Sequence, residues 1–246
     1  MHTGTIPLQS ASPTQPPDGG AGARTGRALR WFFVVPAGPV DAARFARRLG
    51  RLLVGLVLYG IAIAAIVRGA VGAAPWDVLS QGLMRVTGLS FGTLTVLISG
   101  LVLLCWIPLR QAPRFGTIAN SLLVGPAADV GFLLTPADLP LWARILVFTG
   151  GLLLLAVATG LYLSPQFGPG PRDGLMTGLH RRLGLPIWLA RTLVEGTVLA
   201  IGWMLGGNVG VGTAIFALAV GPLCGWTIPR FAMAEPRART TTPLER

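Results

Sequence analysis

Gly-Pro-Gly-Pro-Arg-Asp-Gly-Leu-Met-Thr-Gly-Leu-His-Arg-Arg-Leu-Gly-Leu, residues 168–185, is a stretch that recurs in similar form earlier in the chain. Residues 72–89 align with it at a spacing of 96 positions, and nine of the eighteen pairs are identical. The alignment extends without a gap from residues 55–126 onto residues 151–222, with 24 identities in 72 pairs. We interpret this similarity as an internal duplication, which determines how the rest of the chain is divided.

The composition is that of a membrane protein. Hydrophobic residues make up 52% of the 246 residues and charged residues only 12%, whereas soluble domains carry about 25% charge. The net charge of +11 comes from arginines in the tails and in short loops beside apolar runs, a distribution typical of membrane orientation. We therefore expect the lipid bilayer, and no nucleic acid, as a partner. Both cysteines lie in apolar runs, so we expect no disulfide, metal site or cofactor.

Six apolar runs have the length of about 17–25 residues that a membrane-spanning helix needs. They lie near residues 52–71, 90–109, 117–134, 141–163, 187–205 and 212–228. The two repeated segments lie between the first and second runs and between the fourth and fifth, and their helices are too short to span. We expect these to be amphipathic helices that are interfacial or re-entrant.

The predicted fold class is an all-α membrane protein with six transmembrane helices, arranged as two inverted-topology three-helix repeats. The inversion follows because an odd number of crossings turns the second copy upside down. The membrane domain is expected at 47–228, with repeats at about 47–134 and 141–228. A disordered cytoplasmic tail is expected at 1–46 and a basic cytoplasmic tail at 229–246.

The arginines support this topology. With the N-terminus inside, sixteen of the twenty arginines lie on the cytoplasmic side and three on the outer side, while Arg191 lies within a span. Such a positive-inside bias predicts a multi-pass protein of the inner (plasma) membrane with both termini in the cytoplasm.

Glycine and proline interrupt the helices at matching positions of the two repeats, which in a transporter indicates the binding site. The predicted breaks lie at Gly72 and Pro75 in the first repeat and at Gly168, Gly170 and Pro171 in the second. Each proline suits the first position of a new helix, whose N-terminus then presents free N–H groups and a partial positive charge.

Charged residues beside these breaks are the candidate substrate or ion path. Asp173 lies two residues inside the second short helix and Arg172 lies next to it, while Asp77 repeats the aspartate with Arg68 nearby in sequence. An aspartate in the first helical turn also stabilises a helix start, by about 0.3–1 kcal/mol. The two roles are compatible, so both stay open.

Glu195 lies near the middle of the fifth run, where a carboxylate costs at least about 2–3 kcal/mol and marks a functional site. Its repeat partner is Ser99, so the fold does not require a carboxylate there. The alternative is a structural i,i+4 pair with Arg191. Asn120, in the third run, is interpreted as an interhelical hydrogen-bonding residue.

Several of these motifs resemble the YczE/YyaS/YitT family of bacterial integral membrane proteins. They are Gly-Leu-Tyr-Leu-Ser at 160–164, Gly-Pro-Gly-Pro-Arg-Asp-Gly-Leu-Met at 168–176, Arg191-Thr192 with Glu195, Gly202-Trp203, Gly210-Val211-Gly212-Thr213 and Pro75-Trp76-Asp77-Val78-Leu79. The similarity covers about residues 47–228 and fits the short, YczE-like form without a soluble C-terminal domain. It implies a multi-spanning plasma-membrane protein and no particular substrate.

We expect a small-molecule or ion transporter whose site lies between the two repeats. The alternative is a non-transporting membrane anchor or a regulatory partner of another protein. The two differ in whether Asp77, Asp173 and Glu195 converge on a water-reachable space. An enzyme is not expected, because His-Glu-x-x-His, Gly-x-Ser-x-Gly and an intramembrane histidine are missing. Two small inverted halves are also compatible with a homodimer.

Overall fold

The computed structural model describes residues 42–233, and this part of the chain consists of eight helices joined by short connections without a strand. The helices are α1 Ala42–Gly69, α2 Pro75–Thr87, α3 Phe91–Trp106, α4 Phe115–Leu134, α5 Leu141–Leu163, α6 Pro171–Leu183, α7 Ile187–Met204 and α8 Val211–Phe231. The all-helical class is confirmed. Most of the two predicted tails lies outside the described residues.

Five helices, α1, α4, α5, α7 and α8, are long and apolar enough to cross a membrane. The helices α2 and α3 are bent by 115° relative to one another and count as a sixth span if they are taken together. The run expected at 90–109 ends as a helix at Trp106, because Pro108 has no N–H to donate to the carbonyl oxygen of Leu104, which accepts from Ile107 instead. Its 16 residues rise only about 24 Å.

The two repeated segments form the short helices α2 and α6, of 13 residues each. Each ends at a glycine in the left-handed region, Gly88 with φ of 71° and Gly184 with φ of 68°. A side chain would be strained there, which explains why glycine recurs at both positions. Buried residues of α2 lie in its first half, and the exposed ones follow toward Gly88. The helix therefore dips into the protein from one side.

The helices α1 and α5 pack against each other along the centre of the molecule, with α4 against α1 and α8 against α5. Glycines allow the central approach: a Cβ on Gly55 would meet Tyr162, and one on Gly151 would meet Ile66. These two contacts are equivalent under the spacing of 96 residues. Each short helix packs on a helix of the other sequence repeat: α2 of the first repeat packs on α7, and α6 of the second repeat packs on α3.

The outer helices α7 and α8 present mainly apolar, exposed faces. Large side chains such as Leu193, Trp203 and Leu218 are more than half exposed, whereas Leu52, Leu56 and Ile66 of α1 are fully buried. An apolar exterior around a better-buried centre is the arrangement expected of a protein whose surroundings are lipid.

Candidate functional site

Both short helices begin at the prolines that the sequence marks as helix breaks. Pro171 is the first residue of α6, after Gly168 with φ of 119° and Gly170 in an extended conformation. Pro75 starts α2 in the same way, after Gly72 with φ of 133°. The positive φ values lie in the region that only glycine adopts without strain, and proline cannot extend the preceding helix. These two breaks, at residues 72–75 and 168–171, are here called the elbows. Both follow directly from the local sequence.

Each elbow is held by the opposite half of the chain. The backbone N–H of Gly116 donates to the carbonyl oxygen of Phe167 at 2.9 Å, and that of Gly212 donates to the carbonyl oxygen of Val71 at 2.8 Å. These two bonds are again equivalent at a spacing of 96 residues. In each case the next residue, a threonine, adds a hydrogen bond through its hydroxyl group to the same elbow. The repeated Gly-Thr pair thus fixes where both short helices start.

The N-terminus of α6 opens into a central cavity of about 60 Å³. By the volume that a buried water occupies, this is room for a few water molecules or one small solute. The helices α1, α3, α4 and α5 supply the other walls. The polar lining side chains are Tyr59, Thr95, Ser99, Asn120, Tyr162, Arg172 and Asp173.

Arg172 connects the two short helices. Its Nη1 atom lies 3.7 Å from Oδ1 of Asp77, and its guanidinium lies 5.0 Å from the centre of the Trp76 ring. Asp77 is 2% exposed, so the arginine compensates a carboxylate that is removed from water. The separation is longer than a direct charged hydrogen bond of 2.7–2.9 Å. Arg172 itself stays partly accessible from the cavity.

Asp173 is exposed although it lies among the helices, because it faces the cavity. It interacts electrostatically with Arg172 and with Arg191 of α7. Glu195 pairs with Arg191, whose Nε atom lies 3.0 Å from the glutamate Oε1. The i,i+4 pair considered as the structural alternative is therefore formed. Glu195 also interacts electrostatically with Asp173 and Arg172, but it does not line the cavity.

Charges of alternating sign thus run from α2 to α7: Asp77, Arg172, Asp173, Arg191 and Glu195. Of the three acidic candidates, only Asp173 lines the cavity, so Asp77, Asp173 and Glu195 do not converge on it. Asp77 pairs with Arg172 and Glu195 with Arg191. Arg68 lies apart from this group, because its Nη2 atom donates to the carbonyl oxygen of Phe132 at 3.2 Å and its guanidinium lies over the Phe132 ring. It ties the end of α1 to the end of α4.

Sequence reasoning missed most of the cavity wall. Tyr59 and Thr95 lie within apolar runs and carry no motif. Tyr162 belongs to the motif at 160–164 but has no predicted role there, and Asn120 is predicted to bond another helix rather than to face a cavity. One signal was available in the repeat alignment: Ser99, which lines the cavity, is the partner of Glu195. Glu195 itself lies outside the cavity lining, so this signal locates only one of the two positions.

The described residues contain no group of three or more His, Cys, Asp or Glu side chains that could hold a metal ion. The site therefore consists of a helix N-terminus, two adjacent side chains of opposite charge, and neutral hydrogen-bonding groups. Such a set can bind the polar groups of a small solute through charge and hydrogen bonds.

The chain is similar to three bacterial proteins that are described as uncharacterised, one of them as a membrane protein. It is 37% identical over 170 residues to an uncharacterised protein of Haemophilus influenzae, covering 69% of this chain and 78% of that protein. It is 29% identical over 178 residues to the uncharacterised membrane protein YczE of Bacillus subtilis, covering 72% of this chain and 83% of YczE. The uncharacterised protein YyaS of Bacillus subtilis is 26% identical over 166 residues, or 66% of this chain and 83% of YyaS.

No solved structure matches the chain. The similarity to YczE and the apolar helices together identify a multi-pass membrane protein. A family model described as a family of unknown function, DUF6198, matches residues 46–229. The resemblance to YczE and YyaS drawn from sequence motifs is thereby confirmed, and the chain belongs to the DUF6198 family.

Proposed function

We propose that the protein is a transporter of the inner (plasma) membrane that moves a small polar solute through the central cavity. The observation that carries the proposal is the pair of neighbouring, oppositely charged side chains Arg172 and Asp173, which face a cavity among membrane-spanning helices. Charged groups at that depth are costly and mark binding or translocation sites. A broken helix whose N-terminus points at the cavity is the arrangement that transporters use to bind polar groups.

The proposal includes two inverted halves, α1–α4 and α5–α8, with both termini in the cytoplasm. Three observations support it: the spacing of 96 residues in sequence, the exchange of short helices between halves, and the paired hydrogen bonds at the elbows. When two similar halves are related by a two-fold axis, a contact from the first half to the second is matched by an equivalent contact from the second half to the first. The arginine distribution gives the orientation.

The chemistry of the wall indicates the solute class. Arg172 and the N-terminus of α6 favour a negatively charged group, whereas Asp173 favours a positively charged one or a hydroxyl. The hydroxyl and amide side chains of α3 and α4 complete a site for hydrogen bonds. The best-fitting solute is a small zwitterion or a polyhydroxylated molecule that needs both kinds of partner.

The test is uptake into proteoliposomes made with the purified protein. Candidate solutes come from an untargeted comparison of metabolites in cells that lack or overproduce the protein. We expect Arg172→Gln and Asp173→Asn each to reduce uptake at least about tenfold, since a charged hydrogen bond contributes about 1.5–3 kcal/mol. Arg181→Gln is the matched control, because Arg181 is exposed on the far half of the same helix α6 and should leave uptake unchanged.

Two outcomes count against the proposal. Normal uptake by both cavity variants would show that the solute does not pass Arg172 and Asp173. If no solute from the metabolite comparison enters proteoliposomes, the protein is better explained as a membrane anchor or a regulatory partner.

Glu195 separates a functional role from a structural one. We expect Glu195→Gln to leave the protein folded and to reduce uptake strongly, because the charge next to Arg191 and Asp173 then changes. The folded state is followed by size-exclusion chromatography in detergent. If uptake by Glu195→Gln equals that of the wild type, the Arg191–Glu195 pair is structural.

A further inference from the structure

Buried polar atoms that lack a hydrogen bond are concentrated on one short stretch of α2. Residues 42–233 contain five such side-chain atoms, and one of them is Arg68 Nε. The other four are Trp76 Nε1, Asp77 Oδ1, Ser80 Oγ and Gln81 Nε2. Buried polar groups normally have hydrogen-bond partners, and a buried group left without one destabilises the fold. Four within six residues therefore indicate a polar occupant.

These four side chains occupy one face of α2. At about 100° per residue they fall within an arc of about 140°. The opposite face, with Val78 and Leu79, packs directly against Gly202 and Gly207 at the end of α7. Asp77 lies toward Arg172, whereas Gln81 lies toward the loop after α7, where its Oε1 atom accepts a hydrogen bond from the backbone N–H of Asn208 at 3.4 Å.

This face lies between two cavities. At the N-terminal end of this face, Asp77 Oδ1 lies 3.7 Å from Arg172, which lines the central cavity. At its C-terminal end, Gln81 lines an open cleft of about 440 Å³, together with Arg85 and Asn208. From Asp77 to Gln81 the helix rises only about 6 Å. Ser80, fully buried, lies between the two ends.

We propose that the face of Trp76, Asp77, Ser80 and Gln81, here called the α2 polar face, is a hydrated passage that takes the solute from the central cavity to the open cleft. The inference rests on the proposed transport function and adds a route to it. Its donors are the indole N–H and the glutamine amide, its acceptor is the aspartate oxygen, and the serine does both. The route thus suits a small solute that both donates and accepts hydrogen bonds. The Arg172–Asp77 pair lies across its entrance and must separate for passage.

Cysteine accessibility tests the passage without requiring transport. Ser80→Cys and Val78→Cys are made separately in a chain that carries Cys105→Ser and Cys224→Ser, and both are treated with the charged, membrane-impermeant thiol reagent 2-(trimethylammonium)ethyl methanethiosulfonate. Ser80 and Val78 are both 0% exposed and lie two residues apart, so packing alone predicts equal inertness. We expect Ser80→Cys to react at least tenfold faster. Equal or undetectable reaction of both would overturn the passage.

A second pair guards against misfolding of the serine variant. Asp77→Cys, which lies about one turn nearer the central cavity than Ser80, is compared with Val78→Cys, and the same difference is expected. Uptake measured in parallel separates the two proposals. Fast labelling without uptake of any solute would contradict transport while leaving the hydrated face in place, whereas uptake with inert cysteines would contradict the passage alone.

Discussion

At the scale of single residues, Gly174 determines how closely α6 approaches α3. A Cβ at this position would overlap the six-membered ring of Trp106, whose indole N–H donates to the carbonyl oxygen of Pro171 at 3.1 Å. The tryptophan therefore fixes the start of α6 beside the cavity only because position 174 has no side chain. In the other half the small and the large residue change places: Val78 is the equivalent of Gly174, and it lies against Gly202, the equivalent of Trp106.

We expect Gly174→Ala to destabilise the protein by about 1–3 kcal/mol, because overpacking forces Trp106 or the helix to shift. The control is Gly170→Ala, where the added methyl group would meet only ordinary contacts at 3.5 Å or more and where the other half carries Ala74. Thermal unfolding of the detergent-solubilised proteins measures both. Equal midpoints for the two variants would contradict the close approach.

The residues of the site were predictable only where a local rule singles them out. Arg172 and Asp173 follow a glycine–proline break, and a charge in an apolar chain stands out by its cost. Asn120 and Ser80 are neutral, so their types do not show whether they face lipid, another helix or a cavity. That depends on how the helices are rotated against one another, and tertiary packing sets this rotation.

At the scale of helices, the two halves differ in how their last two helices meet. The helices α3 and α4 approach closely through Gly92 and Gly125, whereas the equivalent positions in α7 and α8 are Trp188 and Gly221. Asp129 of α4 also accepts hydrogen bonds from the backbone N–H of Gly92 at 2.8 Å and from Ser90 Oγ at 2.7 Å. Its equivalent is a glycine, so the second half has no such connection.

We expect Asp129→Ala to destabilise the protein by about 1.5–3 kcal/mol, the usual contribution of hydrogen bonds to a charged group, and to expose the start of α3. The exchange of backbone amide hydrogens near Gly92 should become faster, which mass spectrometry measures. Asp138→Ala, in the exposed loop before α5, is the control and should behave like the wild type. Unchanged exchange in Asp129→Ala would show that glycine packing alone holds α3 to α4.

The sequence predicts which helices are long and which are short, but it predicts less well where each helix ends and which helix it packs against. Both short helices start at the expected prolines, because proline and positive-φ glycine act locally. The run expected to reach residue 109 ends at Trp106, since apolar composition continues past a proline that the helix cannot accommodate. The exchange of α2 and α6 between halves depends on contacts far apart in sequence, which hydropathy does not report.

At the scale of the whole molecule, the proposed inverted topology requires the two elbows to lie toward opposite sides of the membrane. The segments that follow α2 and α6 are equivalent in sequence, and α3, α4 and α5 lie between them. Three crossings place equivalent positions on opposite sides, provided that α3 completes a span despite its 16 residues. The helices α2 and α3, bent by 115°, are long enough to count as a span when they are taken together.

Val86→Cys and Arg182→Cys test this arrangement, because both residues are exposed near the ends of the short helices and are 96 positions apart. In a chain with Cys105→Ser and Cys224→Ser, a membrane-impermeant maleimide should label Val86→Cys in intact cells and Arg182→Cys only after the membrane is permeabilised. The orientation follows from the excess of arginines on the side of Arg182. Labelling of both variants under the same condition would mean that α3 does not cross. The two halves would then be parallel repeats, and a solute could not meet equivalent elbows from opposite sides of the membrane.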